Sequence, residues 1–309
     1  HRSVMRLPGV IELGSLISTA LNDVPRISEK RSKHSYMILL QKGELHGPVI
    51  YCVPGAGASP SCFMPLLEVL GPRHTIYGFQ PRGMDGMQVP HSTVSAAAAD
   101  YIAEIREHSS GRPFRLVGHS FGGWVAFEMA CQLQAMGEIV DDVFLLDTEA
   151  PSLEPIKKDR YTSIAVLLKL VDIYEEMLGQ SVELSKEILE PLNYGERLQA
   201  LLIGMKKVGV LPSRASLSSV ESLVRVFSAH VNTNYVPKSQ FEGKILIFEP
   251  EEVMSEQQEK EPVDENGTEK NWQSYGTEVQ YISVPGNHMT MLHRGNIEGV
   301  GRHISMTLE

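Results

Sequence analysis

A mostly parallel, doubly wound α/β sheet with an inserted helical lid is the fold class this sequence predicts, and three observations predict it. Short β-branched and apolar runs recur from Val49 onward, amphipathic helical patterns separate them, and one connection, between Pro151 and Pro237, is far too long for a single crossover. Residues 49–53, 75–79, 114–117, 142–146, 244–248 and 279–284 read as strands apolar on both faces, which only a sheet covered on both sides tolerates. Residues 36–41, ahead of the turn region 43–47, add an antiparallel edge strand. Residues 92–109 and 121–136 read as helices, the second lining up Val125, Met129, Leu133 and Met136 on one face. Within the long connection, residues 163–178, 185–208 and 216–231 carry amphipathic patterns. They predict a lid over residues 152–236, above the carboxyl edge where open α/β sheets bind ligands. Residues 1–35 fit neither part and read as a linker, with one amphipathic stretch at 11–21, leaving 36–309 as the domain proper.

A chain of 309 residues allows one large domain with an insertion or two smaller ones. Hydrophobic residues at 42% and charged residues at 21% exclude disordered, collagen-like and disulfide-scaffold classes. No apolar run approaches the ~18–20 residues of a spanning helix, and the start at His1-Arg2-Ser3 lacks a signal-peptide pattern, so no membrane partner is expected. Beginning on His1, the chain reads as a piece of something longer. Cys52, Cys62 and Cys131 have no C-x-x-C spacing and read as reduced structural thiols, which predicts a cytoplasmic location. The net charge of −10 argues against a nucleic-acid partner. Much of it lies in residues 249–271, where Glu249, Glu251, Glu252, Glu256, Glu259, Glu261, Asp264, Glu265 and Glu269 face only Lys260 and Lys270. That stretch reads as a solvated loop or frayed helix. Residues 152–236 are charge-balanced.

Gly118-His119-Ser120-Phe121-Gly122-Gly123 joins the strand ending at Val117 to the helix beginning at Phe121. Strand, sharp turn and helix are the context of a G-x-S-x-G nucleophile elbow, in which glycines let backbone and helix approach while the serine hydroxyl stands exposed. A serine hydroxyl is a poor nucleophile near neutral pH. It needs an imidazole base that is itself oriented by a carboxylate. His288, in Pro285-Gly286-Asn287-His288 past the last strand, is the candidate base. His119 reads as packing beside the serine, His293 as heading into the last helix, and the other eight histidines as surface or packing residues. Two positions can supply the acid: Asp147 at the end of one strand, or Glu249, Glu251 and Glu252 after the next, where most α/β-hydrolases place it. An oxyanion hole needs one N–H from the residue after the nucleophile, Phe121, and one from the loop after an early strand, where Pro54-Gly55-Ala56-Gly57 nominates Gly55. No Walker lysine follows that loop and no zinc-ligand spacing appears, so neither a metal nor an organic cofactor is expected.

These segments, with Tyr77-Gly78-Phe79-Gln80-Pro81-Arg82-Gly83, Ala98 to Ile102 and Leu145-Leu146-Asp147, resemble the thioesterase domains that end non-ribosomal peptide synthetases and polyketide synthases. The resemblance covers residues 36–309 and implies an α/β-hydrolase fold with a lid after the acid's strand. It favours Asp147 as the acid, with Ser120 as nucleophile and His288 as base. It implies transfer of an acyl or peptidyl chain from a carrier's phosphopantetheine thioester to the serine, then release by water or by an internal nucleophile that closes a macrocycle. The partner implied is an acyl or peptidyl carrier protein domain. Lys157, Lys158, Arg160, Lys206 and Lys207 are possible docking charges, equally readable as solvated helix faces. His119 stands where many peptide-synthetase members carry tryptophan, which leaves the product class open; oligomeric state is open too. A free-standing editing thioesterase would carry the same triad, and a non-catalytic acyl-binding fold is the alternative of a different class.

Overall fold

In the computed structural model, which describes residues 35–108, 111–151, 161–252 and 271–307, seven strands form one sheet. They are β1 (Met37–Gln41), β2 (Val49–Val53), β3 (Thr75–Phe79), β4 (Phe114–His119), β5 (Val140–Leu146), β6 (Phe241–Pro250) and β7 (Gly276–Val284). Their order is β1-β3-β2-β4-β5-β6-β7, with β1 antiparallel to β3 and every other pairing parallel. The helices are α1 (Met64–Leu70), α2 (Val94–His108), α3 (Phe121–Ala135), α4 (Ser163–Leu178), α5 (Lys186–Leu189), α6 (Tyr194–Lys207), α7 (Leu217–Val231) and α8 (Ile297–Thr307). This is the predicted α/β-hydrolase-type sheet with its antiparallel edge.

Alternation along the strands divides the core into two layers. Tyr51 and Val53 of β2, Val143 and Leu145 of β5, and Ile245 and Ile247 of β6 pack with α2 and α3. Ile50 and Cys52, Phe144 and Leu146, and Leu246 and Phe248 point the other way, onto α1 and α8. Both faces are thereby removed from water, which is why these strands read as continuous apolar runs. The long connection between β5 and β6 builds a third cluster of its own from α4, α6 and α7, including Leu167, Leu170, Leu201, Met205, Leu223 and Phe227.

The lid helices begin where side chains cap them. Thr162 accepts from Ala165 N–H, Ser216 accepts from Ser219 N–H, and Asn193 forms a reciprocal box with Glu196. The Asn193 box explains one correction. The pattern over 185–208 reads as a single helix, but it breaks into α5 and α6 because Pro191 cannot continue α5 and Asn193 starts a new N-terminus. A second correction is α1, preceded by a 3-10 turn at Pro60–Phe63, which the periodicity did not announce. The linker reading for 1–35, the acidic stretch beyond Glu252, and Lys157, Lys158 and Arg160 lie wholly or almost wholly outside the described residues. No described helix is long and apolar enough to cross a membrane.

The strand order places the site. β2 and β4 are neighbours although β3 intervenes in sequence, and β3 lies on the other side of β2. The chain therefore reverses its winding between β2 and β4, the crevice where open α/β sheets bind ligands beyond the strand carboxyl ends. The Pro54–Gly57 loop leaves β2 there and Ser120 leaves β4.

Candidate active site

Ser120 occupies the sharp turn between β4 and α3, at φ 53° and ψ −125°. A non-glycine residue holds such a backbone only when its surroundings over-determine it. Here Ser120 N–H donates to the Leu146 carbonyl (2.9 Å), Gly123 N–H donates to the Ser120 carbonyl (2.8 Å), and the Thr148 hydroxyl donates to the same carbonyl (3.2 Å). The motif glycines answer to close approach: a Cβ on Gly118 would strike Gly122 backbone, and one on Gly122 would strike the Val53 and Pro54 carbonyl oxygens. The elbow is thus pressed against the loop after β2.

Asp147 follows β5 directly. The parallel ladder pairs His119 with Leu146, and Asp147 N–H donates to the Phe248 carbonyl (2.8 Å), so the backbone of β4 and β6 sets its position. Asp147 is also held at positive φ, 38°. Its side chain is 6% exposed, and Oδ2 lies 2.6 Å from Nδ1 of His288, 141 residues away.

The histidine loop after β7 is folded by its own polar groups. Asn287 Oδ1 accepts from the N–H groups of Met289 (3.0 Å) and Thr290 (2.9 Å), while Asn287 N–H donates to Thr290 Oγ1 (2.9 Å). Gly286, at φ 91°, allows the reversal that brings His288 back to Asp147 at the end of β5. Among the described residues the His288 ring makes one hydrogen bond, the one through Nδ1 to Asp147, which leaves Nε2 free to exchange a proton.

Of the alternative acids, Glu249 lies exposed on β6 opposite Ser283, and Glu251 and Glu252 are exposed, contributing backbone N–H groups to the Val284 and Gly286 carbonyls. His288 is brought to Asp147 and not to them. His293 is exposed at the turn before α8.

Gly55 stands beside the serine: a Cβ there would lie 3.4 Å from Ser120 Cβ and 3.1 Å from His119 Nδ1. Phe121 is the first residue of α3, so its N–H has no acceptor within the helix and faces outward at the positive end of the helix dipole. Gly55 and Phe121 thus lie on the two segments that adjoin Ser120. A hydroxyl, an imidazole paired with a carboxylate and two backbone donors are the groups that serine acyl transfer requires.

Two histidines have parts that sequence reasoning missed. His119 does more than pack: its Nε2–H donates to the His288 carbonyl (3.0 Å) and its ring lies against the His288 ring, centroids 4.9 Å apart. Burial, then the neighbouring His288, pushes its pKa down to about 3, so it is a neutral donor. His230, read as a surface or packing residue away from the elbow, does pack, but it packs against the elbow. On lid helix α7 it accepts from Gly57 N–H through Nδ1 (3.2 Å) and stacks on Phe121. The available signal was a lone histidine continuing the apolar stripe of Leu223 and Phe227. Of the possible docking lysines, Lys207 pairs with Glu183 (2.6 Å). Among the described residues no group of His, Cys, Asp and Glu could hold a metal ion.

The sequence matches the family model described as thioesterase domain over residues 48–308. It is 27% identical over 265 residues to the dimodular nonribosomal peptide synthase of Bacillus subtilis (strain 168), covering 85% of this chain and 10% of that protein. The chain spans a tenth or less of the length of the first curated relatives it matches. A solved four-domain nonribosomal peptide synthetase superposes with a TM-score of 0.73 at 22% identity, over 95% of this chain and 21% of that one. The Vlm2 thioesterase domain, solved with a bound dodecadepsipeptide, gives 0.61 at 18% identity, over 89% of this chain and 98% of that one. At those identities the two structures speak to the fold. With the family model spanning most of its length, this chain belongs to the thioesterase domain family.

Proposed function

We propose that this chain is a chain-releasing thioesterase domain that accepts an acyl or peptidyl chain from the phosphopantetheine thioester of a carrier protein domain. The observation that carries the proposal is the 2.6 Å contact between His288 Nδ1 and buried Asp147, formed beside an elbow serine in a thioesterase-family chain. In this reading Nε2 of His288 takes the Ser120 proton as Oγ attacks the thioester carbonyl. The oxyanion is received by the N–H groups of Gly55 and Phe121, and Asp147 holds the imidazolium and its tautomer. Collapse breaks the C–S bond, and the departing pantetheine sulfur takes the proton back from Nε2. Water, or a hydroxyl or amine of the chain itself, then gives its proton to Nε2 and attacks the acyl-enzyme, returning Ser120 with its hydrogen. A charge-balanced lid of amphipathic helices suits a greasy chain and would shield the acyl-enzyme from water, which favours internal attack. The family's chemistry asks for no cofactor beyond the carrier's own arm.

Intact-protein mass spectrometry after brief exposure to acyl-N-acetylcysteamine thioesters tests this. An acyl adduct, or thiol release without accumulation, is expected for the wild type and absent in Ser120→Ala. Neither signal across several chain lengths, with no fluorophosphonate labelling of Ser120, would leave a non-catalytic acyl-binding fold. Preferential clearing of short acyl groups from a loaded carrier would point to the editing role instead.

A further inference from the structure

Among the described residues, the lid meets the proposed oxyanion hole through the polar side chain of His230. His230, buried on α7, receives the Gly57 N–H at Nδ1 (3.2 Å) across 173 residues of sequence. Its ring lies flat on Phe121, with centroids 4.2 Å apart and planes 14° apart. One ring therefore meets both segments that carry the proposed donors: the loop of Gly55 and the residue after Ser120.

The loop contact has a defined target. Ala58 N–H donates to the Gly55 carbonyl (3.1 Å), closing a four-residue turn with Gly57 as its third residue at φ +65°. A positive φ at that position, with Ala56 on the negative side, marks a type II turn. Types I and II differ by a flip of the central peptide. Here that peptide is Ala56–Gly57, whose N–H points at His230. A flip would turn a carbonyl oxygen toward the Nδ1 lone pair, so the histidine disfavours the alternative turn. Burial, then nearby His91, pushes the His230 pKa down to about 3, which keeps Nδ1 an acceptor. The same helix seats tightly on the loop, because a Cβ on Gly57 would lie 3.0 Å from Phe227 Cβ. It is also moored to the segment after β3 by Arg225, whose Nη2 donates to the Gln88 carbonyl (3.3 Å).

We propose that His230 is a positioning residue through which the lid sets the oxyanion hole: with α7 seated, its Nδ1 fixes the Gly55–Ala58 turn and its ring fixes Phe121. The proposal rests on the thioesterase reading and adds that the lid helps to complete the site that accepts the acyl group as well as covering it.

The test uses the full chain with an acyl-N-acetylcysteamine thioester, measuring kcat, KM, Ser120 labelling by a fluorophosphonate, and Tm. His230→Phe keeps a flat ring over Phe121 and removes the acceptor. His230→Asn returns an acceptor near Nδ1 without the ring, and His230→Ala removes both. We expect kcat and the labelling rate to fall about 10²-fold in His230→Phe with KM little changed, as for loss of an oxyanion donor, and to recover partly in His230→Asn relative to His230→Ala. Should His230→Phe not fold, the Asn and Ala pair decides. Wild-type kcat in folded His230→Phe, or equal rates in the Asn and Ala variants, overturns the proposal. An inactive, unlabelled wild type overturns the thioesterase reading instead.

Discussion

Replacing Asp147 by asparagine separates charge from shape at the centre of the site. Asparagine tolerates the positive φ of this position and has the same volume, so the fold should survive. With Oδ2 2.6 Å from Nδ1, the charge centres of carboxylate and imidazolium are about 4 Å apart. At an effective dielectric of about 20 their attraction is about 4 kcal/mol. That attraction is absent before the proton moves and present after, so its loss raises the acylation barrier by a comparable amount, about 10³-fold. The amide can also present its N–H to Nδ1. This would leave the ring proton on Nε2, where it cannot accept from Ser120, and carries the loss toward about 10⁴-fold. Single-turnover acylation with an acyl-N-acetylcysteamine thioester reads this directly, with Glu249→Gln as the control. More than a tenth of wild-type acylation remaining in a folded Asp147→Asn variant, or a large loss in Glu249→Gln, would refute the assignment and move the acid to the strand after β5.

Three further outcomes follow from packing and burial. His119 and His230, both with pKa values pushed down to about 3 from an ordinary 6.5, stabilise the fold fully above pH 6.5. As pH falls toward 3 the unfolded chain takes up protons that the native state refuses, so each removes up to ~1.4 kcal/mol per pH unit. Denaturant melts between pH 7 and 5 should show a shallower acid limb for His230→Phe than for wild type; an unchanged slope would mean that His230 protonates in the folded state. Gly122→Ala drives a methyl into two backbone carbonyls and should cost about 3 kcal/mol or more in denaturant stability. Gly179→Ala, at φ 64° with open space around it, should cost only about 1 kcal/mol, and equal costs would contradict the close approach. Trp272→Phe leaves the buried Thr148 carbonyl without the indole N–H 2.8 Å away and should cost about 1–3 kcal/mol, read from the shift in denaturant midpoint.

What the sequence discloses here is what local pattern can encode. β2 and β3 coincide with their apolar runs because both of their faces are buried. β5 begins earlier than the run 142–146, at Val140, because Asp141 belongs to the strand while breaking the apolar pattern; Arg115 pairs with Asp141 across the ladder. The elbow is legible because Gly118, Ser120 and Gly122 do their work within five residues. Choosing between Asp147 and Glu249 was not possible from spacing, since both follow buried strands. The choice depends on where a loop 141 residues on returns, and Gly286 and the Asn287 side chain decide that. His230 was the least legible. Its partners Gly57 and Phe121 lie far off in sequence, and on α7 it occupies a stripe whose other members are ordinary core residues.

The lid's connections to the site are unequal, and the inequality bears on how a lid could move without dismantling the acid and base. Leaving Asp147, the chain runs through Thr148, Glu149 and Pro151 before the lid begins, and each of these carbonyls is held by an aromatic donor from the sheet layer. Trp272 Nε1 binds Thr148, Trp124 Nε1 binds Glu149 and the Tyr275 hydroxyl binds Pro151, at 2.8, 2.8 and 2.9 Å. The return is held as well, by the Tyr235 hydroxyl on Glu128 of α3 at 2.6 Å, with Gln132 bracing the other carboxylate oxygen. These bonds tie the residues flanking the lid to the sheet layer, so Asp147 is positioned by β5 and its neighbours and not by α4 to α7. On the base side Glu176 of the lid lies 3.5 Å from the Asn287 amide, whereas Asn287 is held by Thr290 and Met289 within its own loop. On the oxyanion side, by contrast, His230 reaches through to the turn and to Phe121. On the proposed assignment, the Asp147–His288 pair would be held independently of the lid, and the oxyanion donors would be held partly through it. An open lid would thus keep an assembled but weak nucleophile, and acyl transfer would become fast only once the helices had closed over the chain and excluded water.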